Sequence, residues 1–342
     1  MAPPVPAAGD AAGADAPGLD GLAARLRAAG LEPRLGAPLA RLGFWRIGGP
    51  ADLFVEVPHD AGLQAVLGGA QAAGLPVTVL GNGSNLLVAD AGVRGVCLRL
   101  TGDFRRSAPV ADGSVWRVGG GLLNTVLLAR LKKAGAGGLG CLAGVPGTVG
   151  GAVRMNAGWS LGELSDRLEQ IELALPDGSR VIRSASDLDL GYRRARLPVG
   201  ALVTQAWVRV EIDPDAVAAE AERVRRYLAR RKATQPLHAP SCGSVFKNPE
   251  GDHAGRLIEA VGLKGRRVGG AQISDRHANF IVNTGDASAS DVYRLIRLAR
   301  RLVWLREQVT LAPEVHAIGA WPQGAWPLPS PAEELPHDEP HS

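Results

Sequence analysis

Nine of the 24 residues from Gly135 to Gly158 are glycine, yet the segment also contains the apolar run Val145-Pro-Gly-Thr-Val-Gly-Gly-Ala152. A stretch this apolar is not a flexible linker; it has to be packed. Glycine permits positive φ and close approach of the main chain to a ligand. Successive N–H groups along such turns form concavities that can cradle a pyrophosphate. A second loop, Gly81-Asn-Gly-Ser-Asn85, follows the apolar β-type run Pro76–Leu80 and has the same logic. Neither is the dinucleotide fingerprint G-x-G-x-x-G, because Gly81-x-Gly83 is followed by Ser84, Asn85 and Leu86. Either loop alone is more often a tight turn than a ligand site; two together, both rich in small polar residues, point to a dinucleotide.

The pattern around these loops is mixed α+β. Leu63, Val66, Leu67 and Ala70 have helical spacing, with Asp60 as the expected N-cap. Val96–Leu100 and Val115–Val118 read as strands, and Thr125–Lys133 as a helix. From Ile171 the pattern is strand-like, with a turn at Pro176-Asp-Gly178. Val217, Ala221, Val224 and Leu228 mark an amphipathic helix with a basic outer face, and a domain boundary is expected near residue 213, where it begins. Another helix, carrying Val292, Leu295, Ile296, Ala299, Leu302 and Val303, is entered through Ser288-Ala-Ser-Asp291, a capping-box spacing. Residues 1–20 and 321–342, rich in Ala, Pro, Gly and acids, read as disordered tails.

Those tails also mask a basic body. The whole chain carries +4, but the ends hold seven acids and no Lys or Arg, which leaves the body near +11. That surplus suits a phosphorylated ligand. Nucleic acid is disfavoured: no basic run is interleaved with aromatics, which are only 4% of the chain. Three scattered cysteines, Cys97, Cys141 and Cys242, fit a reducing compartment, and the seven histidines lack metal-ligand spacing. No signal peptide and no 18-residue apolar stretch is evident, so a cytoplasmic protein without membrane contact is expected; no metal and a monomer are further expectations, the oligomeric state not being readable from the sequence.

Several short motifs, in order, carry a resemblance. Gly48-Gly-Pro-Ala-Asp-Leu-Phe54, Gly81-Asn-Gly-Ser-Asn-Leu-Leu87 and Gly144-Val-Pro-Gly-Thr-Val-Gly-Gly-Ala152 with Met155-Asn-Ala-Gly158 are followed by Gly191-Tyr-Arg193. Then come Pro240-Ser-Cys-Gly-Ser-Val-Phe-Lys-Asn-Pro249, Leu263-Lys-Gly265 with Gly269-Gly270, and Leu311-Ala-Pro-Glu-Val-His316. From about residue 40 to 319 the chain resembles the UDP-N-acetylenolpyruvoylglucosamine reductases.

The resemblance implies an α+β protein with an FAD-binding fold of the PCMH/vanillyl-alcohol-oxidase type. Its two subdomains would be 21–100, completed by 309–320, and 101–212; a smaller α+β substrate-binding domain would be 213–308. It implies non-covalent FAD, NADPH as co-substrate, and a UDP-sugar enolpyruvyl ether reduced to UDP-N-acetylmuramate for peptidoglycan, hence a role in cell-wall biogenesis and division. By position, Arg193, Ser244 and Glu314 match the catalytic residues. A guanidinium suits a carboxylate and developing enolate. Serine is a weak acid and needs strong stabilisation or a relay to give a proton, while glutamate beside a developing anion is most useful protonated. Cofactor binding falls to Gly48, Gly49, Pro50, Gly81, Asn82, Gly83, Ser84, Asn85, Gly144, Pro146, Gly147, Thr148, Gly150, Gly151, Ala152 and Asn156; substrate binding to Tyr192, Lys247, Asn248 and Lys264.

Each residue also has a plain reading: Ser244 as a turn residue, Arg193 as one of a basic run with Arg194 and Arg196, Glu314 as a turn acid, the lysines as solvated surface. Two departures stand out. His316 takes a place where relatives often have arginine, which makes an anion contact there pH-dependent. The short span from Arg193 to Ser244 matches the shorter subclass, without an extra substrate-covering loop. Alternatives remain open at this level. An oxidase of the same flavin fold would often carry histidine in the Gly81–Asn85 loop, where none occurs. A non-catalytic nucleotide module would be expected to lose one of the catalytic residues. Cys242 reads as a small buried side chain rather than a reactive thiol.

Overall fold

Helix α1 (Ala16–Ala28) and helix α2 (Asp60–Ala72) place Leu22, Leu26, Leu63, Val66 and Leu67 in one buried cluster. That cluster covers a four-stranded sheet ordered Arg34–Pro38, Pro50–Val57, Val93–Leu100, Val77–Val79, antiparallel at the first pairing and parallel at the next two. The computed structural model describes residues 16–328 and 330. Strands Pro50–Val57 and Val93–Leu100 are almost wholly buried because both faces of the sheet are covered; Phe54 and Cys97 point into a second cluster with Leu39, Leu80 and Val88.

Asp60, expected to cap α2, is its first residue; the cap is His59, whose extended backbone turns Nδ1 onto the Gly62 N–H at 3.0 Å. The tail reading also changes at both ends. Leu19 of α1 is buried, and Trp321 and Trp326 lie 5.6 and 6.4 Å from the Tyr293 ring. Apolar side chains spaced among the small and acidic residues find partners there, which composition alone does not register. The remainder of each tail, 1–15, 329 and 331–342, lies outside the described residues.

A five-stranded antiparallel sheet follows, ordered Arg180–Ser184, Leu168–Ala174, Leu202–Arg209, Val115–Gly119, Ser107–Val110. Helices α3 (Asn124–Lys133) and α4 (Val149–Arg154) cover one face, burying Leu127, Leu131, Val149 and Val153 against Ile171, Leu173, Ala206 and Val208. The glycine-rich segment is therefore core-facing. Gly150 donates to the Gly120 carbonyl at 2.8 Å, and a Cβ there would press on that carbonyl.

Helix α5 (Pro214–Thr234), capped by Asp213 with Pro214 in its first turn, lies across the same segment. Its Glu220 accepts from Gly138 and Gly140 N–H at 2.7 and 2.9 Å, Arg231 donates to the Gly144 carbonyl, and Tyr227 stacks on Trp159 at 3.5 Å. Beyond it, α6 (Ala254–Ala260) and α7 (Ala289–Glu307) pack on a small antiparallel sheet, Arg267–Val268, Ala271–Ile273, Ile281–Asn283. The Ser288–Asp291 capping box is present. Its core includes Trp45, whose Nε1 donates to the Ile281 carbonyl at 2.7 Å across the sequence.

The chain then returns: His316–Ile318 pairs in parallel with Leu86–Val88. That pairing carries the end of the chain back to the segment between strands Val77–Val79 and Val93–Leu100 of the first sheet.

Candidate active site

Arg193 sits at the tip of a hairpin. Strands Asp189–Gly191 and Arg194–Arg196 pair with only Tyr192 and Arg193 between them, so both turn residues are forced outward. Arg193 takes φ +54, a conformation that costs a non-glycine residue about 1–3 kcal/mol. Its surroundings hold it there. Nε donates to Glu314 Oε1 at 3.0 Å, a terminal nitrogen donates to the Gly158 carbonyl, and the other lies 3.6 Å from Glu163 Oε1. Lys247 Nζ donates to the Arg193 carbonyl at 3.2 Å. The Tyr192 ring, largely exposed, lies under the guanidinium at 4.9 Å.

The segment bearing Ser244 runs antiparallel to that bearing Glu314. Phe246 bridges Pro313, Lys247 N donates to the Ala312 carbonyl at 2.9 Å, and Glu314 N donates to the Val245 carbonyl at 2.8 Å. This register seats Ser244 one residue from the Glu314 backbone contact. Its hydroxyl has no hydrogen-bond partner among the described residues, unlike a turn serine that bonds its own main chain.

Burial pushes the Glu314 carboxyl above the ordinary glutamate range; Arg193 and Lys247 oppose that without cancelling it. Burial lowers Lys247, with Arg193 and Arg194 acting the same way and Glu314 against. The cluster thus sets a buried carboxyl, its proton affinity raised by burial, against a guanidinium 3.0 Å away, a suitable setting for charge that develops on a ligand.

The glycine loops adjoin this cluster through asparagines. Asn85 Nδ2 donates to the Glu314 carbonyl at 3.0 Å, and Asn85 O accepts from His316 N. Asn156, buried at φ +39, donates to Glu163 Oε2 at 2.7 Å and accepts from Ser165 N. Asn82 Nδ2 donates to the Pro146 carbonyl and joins the two loops to each other. Around that junction a cleft of about 220 Å³ is lined by Gly81, Asn82, Leu100, Leu123 and Thr148, with Arg99, Arg105 and Arg130. A Cβ on Gly81 would come within 3.0 Å of Thr148 Oγ1, and one on Gly147 would approach Ser84. Main chain at glycine, small hydroxyls and three guanidiniums fit the diphosphate of a dinucleotide such as FAD.

Other expected site residues have different surroundings. Gly48, Gly49 and Pro50 press against Val88–Gly92; Gly49 N donates to the Ala89 carbonyl at 2.9 Å. Gly83 lies against Leu42–Gly43, Gly144 receives Arg231, Gly151 N donates to Thr148 Oγ1, and Ala152 is buried in α4. Asn248 is exposed, and its Oδ1 accepts from the Ala254 N–H at the start of α6. Lys264 pairs with Glu259 at 2.8 Å on the surface. His316 lies 3.0 Å from Met155 Sδ, its ring lowered by desolvation and by the Arg154 and Lys247 charges. Sequence reasoning missed Glu163: an acid in a glycine hairpin has no spacing that ties it to Arg193.

The sequence was compared with known families and structures. The FAD binding domain model matches residues 51–183, and the UDP-N-acetylenolpyruvoylglucosamine reductase C-terminal domain model matches 235–318. The reductase of Anaeromyxobacter dehalogenans (strain 2CP-C) is 47% identical over 303 residues, 89% of this chain and 90% of that protein. The chain belongs to the UDP-N-acetylenolpyruvoylglucosamine reductases. A second member, reductase 2 of Symbiobacterium thermophilum, is 44% identical over 89% of this chain and 98% of its own length. The crystal structure of the Thermus caldophilus reductase covers 84% of this chain and 98% of its own, with TM-score 0.71 and 38% identity. Membership makes the chain an oxidoreductase enzyme and assigns the α+β, FAD-binding fold to the reductase family. No helix among the described residues is long and apolar enough to cross a membrane.

Proposed function

We propose that this chain reduces the enolpyruvyl ether of UDP-N-acetylglucosamine enolpyruvate to UDP-N-acetylmuramate, with FAD as bound cofactor and NADPH as electron source, in the cytoplasm. The observation that carries the reading is the Arg193–Glu314 pair at 3.0 Å, assembled from distant parts of the chain beside the Ser244 segment and reached by both glycine loops. Bound FAD would supply the two-electron chemistry, taking electrons from NADPH and giving them to the vinyl group. Gly81, Asn82, Ser84, Gly147 and Thr148 would hold it through main chain and small polar groups, with the remaining loop glycines shaping the cradle.

Three side chains then divide the work on the substrate. Arg193 binds the substrate carboxylate and stabilises the enolate-like charge that grows beside it. Glu314, whose proton affinity burial raises, bonds that charge in its protonated form without repelling it. Ser244 delivers a proton to the second vinyl carbon, a step worth about 10²–10⁴-fold in general acid catalysis. Tyr192 and Lys247, both at the Arg193 hairpin, contact the UDP-sugar; Asn248 and Lys264 do so only by leaving the partners they hold here. Residues 21–100 with 309–320, 101–212 and 213–308 are the three units of this reading, and the enzyme acts as a monomer of the shorter subclass.

The test is anaerobic. NADPH should bleach the bound flavin, and the enolpyruvyl substrate should restore its colour rapidly. In Ser244→Ala the bleaching should persist while the return is lost. A flavin that stays reduced until oxygen enters would refute the reading and indicate an oxidase.

A further inference from the structure

Helix α5 is 21 residues long, yet none of its side chains is fully buried. Its inward stripe is Val217, Glu220, Val224, Tyr227 and Arg231, spaced three and four residues apart, and the glycine-rich segment lies against it. Glu220 and Arg231 hold main chain near the two ends of that stripe. Tyr227, between them, holds a side chain. Its ring lies 3.5 Å from that of Trp159, centroid to centroid, with the planes 7° from parallel. Trp159 is fixed at its edge as well, Nε1 donating to the Gly140 carbonyl at 3.1 Å.

Trp159 belongs to a hairpin whose strands, Gly158–Trp159 and Gly162–Glu163, are two residues each. A two-stranded ribbon is marginal in water even when longer, so this one depends on outside support. It nevertheless supplies two of the acceptors that hold Arg193, the Gly158 carbonyl and Glu163 Oε1; the third is Glu314. One strand is tied by Asp166 Oδ2, which accepts from the Glu163 N–H at 2.9 Å, and by Asn156 on the Glu163 carboxylate. The other is tied through the Trp159 ring. The Gly158 carbonyl carbon is bonded to the Trp159 nitrogen, so a shift of that ring turns the carbonyl that receives Arg193.

We propose that Tyr227 is a positioning residue for the reduction: stacked on Trp159, it sets the hairpin whose Gly158 carbonyl and Glu163 carboxylate aim the Arg193 guanidinium at the substrate carboxylate. The inference rests on the reaction proposed above, with Arg193 at that carboxylate. Among the described residues the Tyr227 hydroxyl has no hydrogen-bond partner, so the ring face is what the residue contributes. Burial raises its phenol above the ordinary tyrosine range, and the Arg231 and Arg193 charges oppose this, which places the ring within the field of the site. Because α5 opens the unit proposed for 213–308, the stack lets that unit take part in aiming a residue that precedes it.

The experiment compares FAD-loaded wild type, Tyr227→Phe, Tyr227→Leu and Trp159→Leu in the two half-reactions, flavin reduction by NADPH and reoxidation by the enolpyruvyl substrate. At saturating substrate, reoxidation should slow roughly ten- to hundredfold in Tyr227→Leu and in Trp159→Leu, the scale of about an ångström of lost alignment. Flavin content and the rate of reduction should stay within about twofold of wild type, since neither uses the aim of Arg193. Tyr227→Phe keeps the ring face and should keep both rates within about twofold. In an Arg193→Lys background the planar fork that reads both acceptors is absent. There Tyr227→Leu should slow reoxidation by no more than about twofold further, because the group it aims is gone.

Reoxidation by Tyr227→Leu at the wild-type rate would overturn the inference and leave the stack as packing. So would equal slowing of both half-reactions, or a further slowing in the Arg193→Lys background as large as that in the wild type. A wild type whose reduced flavin the enolpyruvyl substrate does not reoxidise would bring down the proposed reaction and this inference with it, an outcome distinct from unchanged variants of an active wild type.

Discussion

Around Gly81–Asn85 and Gly144–Ala152 the surface offered to a ligand is main chain, brought close because side chains are missing; around Arg193 it is side chains, drawn from the Gly191–Arg194 turn, the Gly162–Glu163 hairpin and the two bridged segments that carry Val245 and Glu314. The first region is set by backbone geometry, and at Gly83 an added atom would strike main chain. The second is set by charge and burial. The difference teaches which experiments destroy the protein and which dissect it.

The largest effect is expected on the main-chain side. Gly83 takes φ +66, and a Cβ there would strike the Leu42 carbonyl oxygen, an atom of backbone that cannot swing aside. Strain and overpacking together should cost Gly83→Ala about 3 kcal/mol or more, with loss of bound flavin. Chemical denaturation against wild type measures this. Stability and flavin content equal to wild type would show the loop adapts, and the contrast between the two regions would fail.

Next comes Glu314→Gln, which keeps shape and removes the titration. A carboxyl whose folded-state pKa is raised binds its proton more tightly folded than unfolded. Its contribution to stability is therefore present at low pH and fades as pH climbs from the ordinary glutamate range through the raised folded value. The flavin-free wild type should lose stability across that window relative to Glu314→Gln, most at its upper end. Turnover should fall by roughly a hundredfold, the scale of one lost stabiliser of developing charge. Parallel stability-versus-pH curves for the two proteins would show that Glu314 is not held protonated by burial.

A smaller, more selective loss is expected from Glu163→Gln, which leaves the Asn156 contact an oxygen but takes the charge from beside Arg193. Reoxidation of reduced flavin by the enolpyruvyl substrate should slow about tenfold, the cost of looser aim in one guanidinium. Flavin reduction by NADPH should stay within about twofold of wild type. Equal slowing of both half-reactions would mean that Glu163 supports the fold around Asn156 rather than the aim of Arg193.

The two regions were also unequally legible. The loops could be read because glycine density beside apolar residues has one physical meaning, packed turns, and the helix over Val292–Val303 could be read because Ser288 and Asp291 form their cap within the chain itself. Arg193, Ser244 and Glu314 came only from the resemblance: nothing local distinguishes Arg193 from Arg194, since what selects it is a turn conformation and partners far along the chain. The same holds for the end at Trp321 and Trp326, where apolar residues in an acidic stretch find Tyr293.

Cys242 separates the two regions most finely, because it adjoins both and should serve neither chemically. It lies two residues before Ser244, with Sγ 3.5 Å from the Leu86 carbonyl and 3.7 Å from that of Gly83. Burial pushes the thiol up to about 12, so no thiolate is available at neutral pH and thiol reagents should react only once the protein is unfolded. Cys242→Ala removes a small apolar volume and a weak S–H donor, which should cost about 1 kcal/mol and leave more than a tenth of wild-type activity. Thiol modification in the native state, or activity below that tenth, would make Cys242 part of the chemistry and extend the side-chain site into the main-chain cradle.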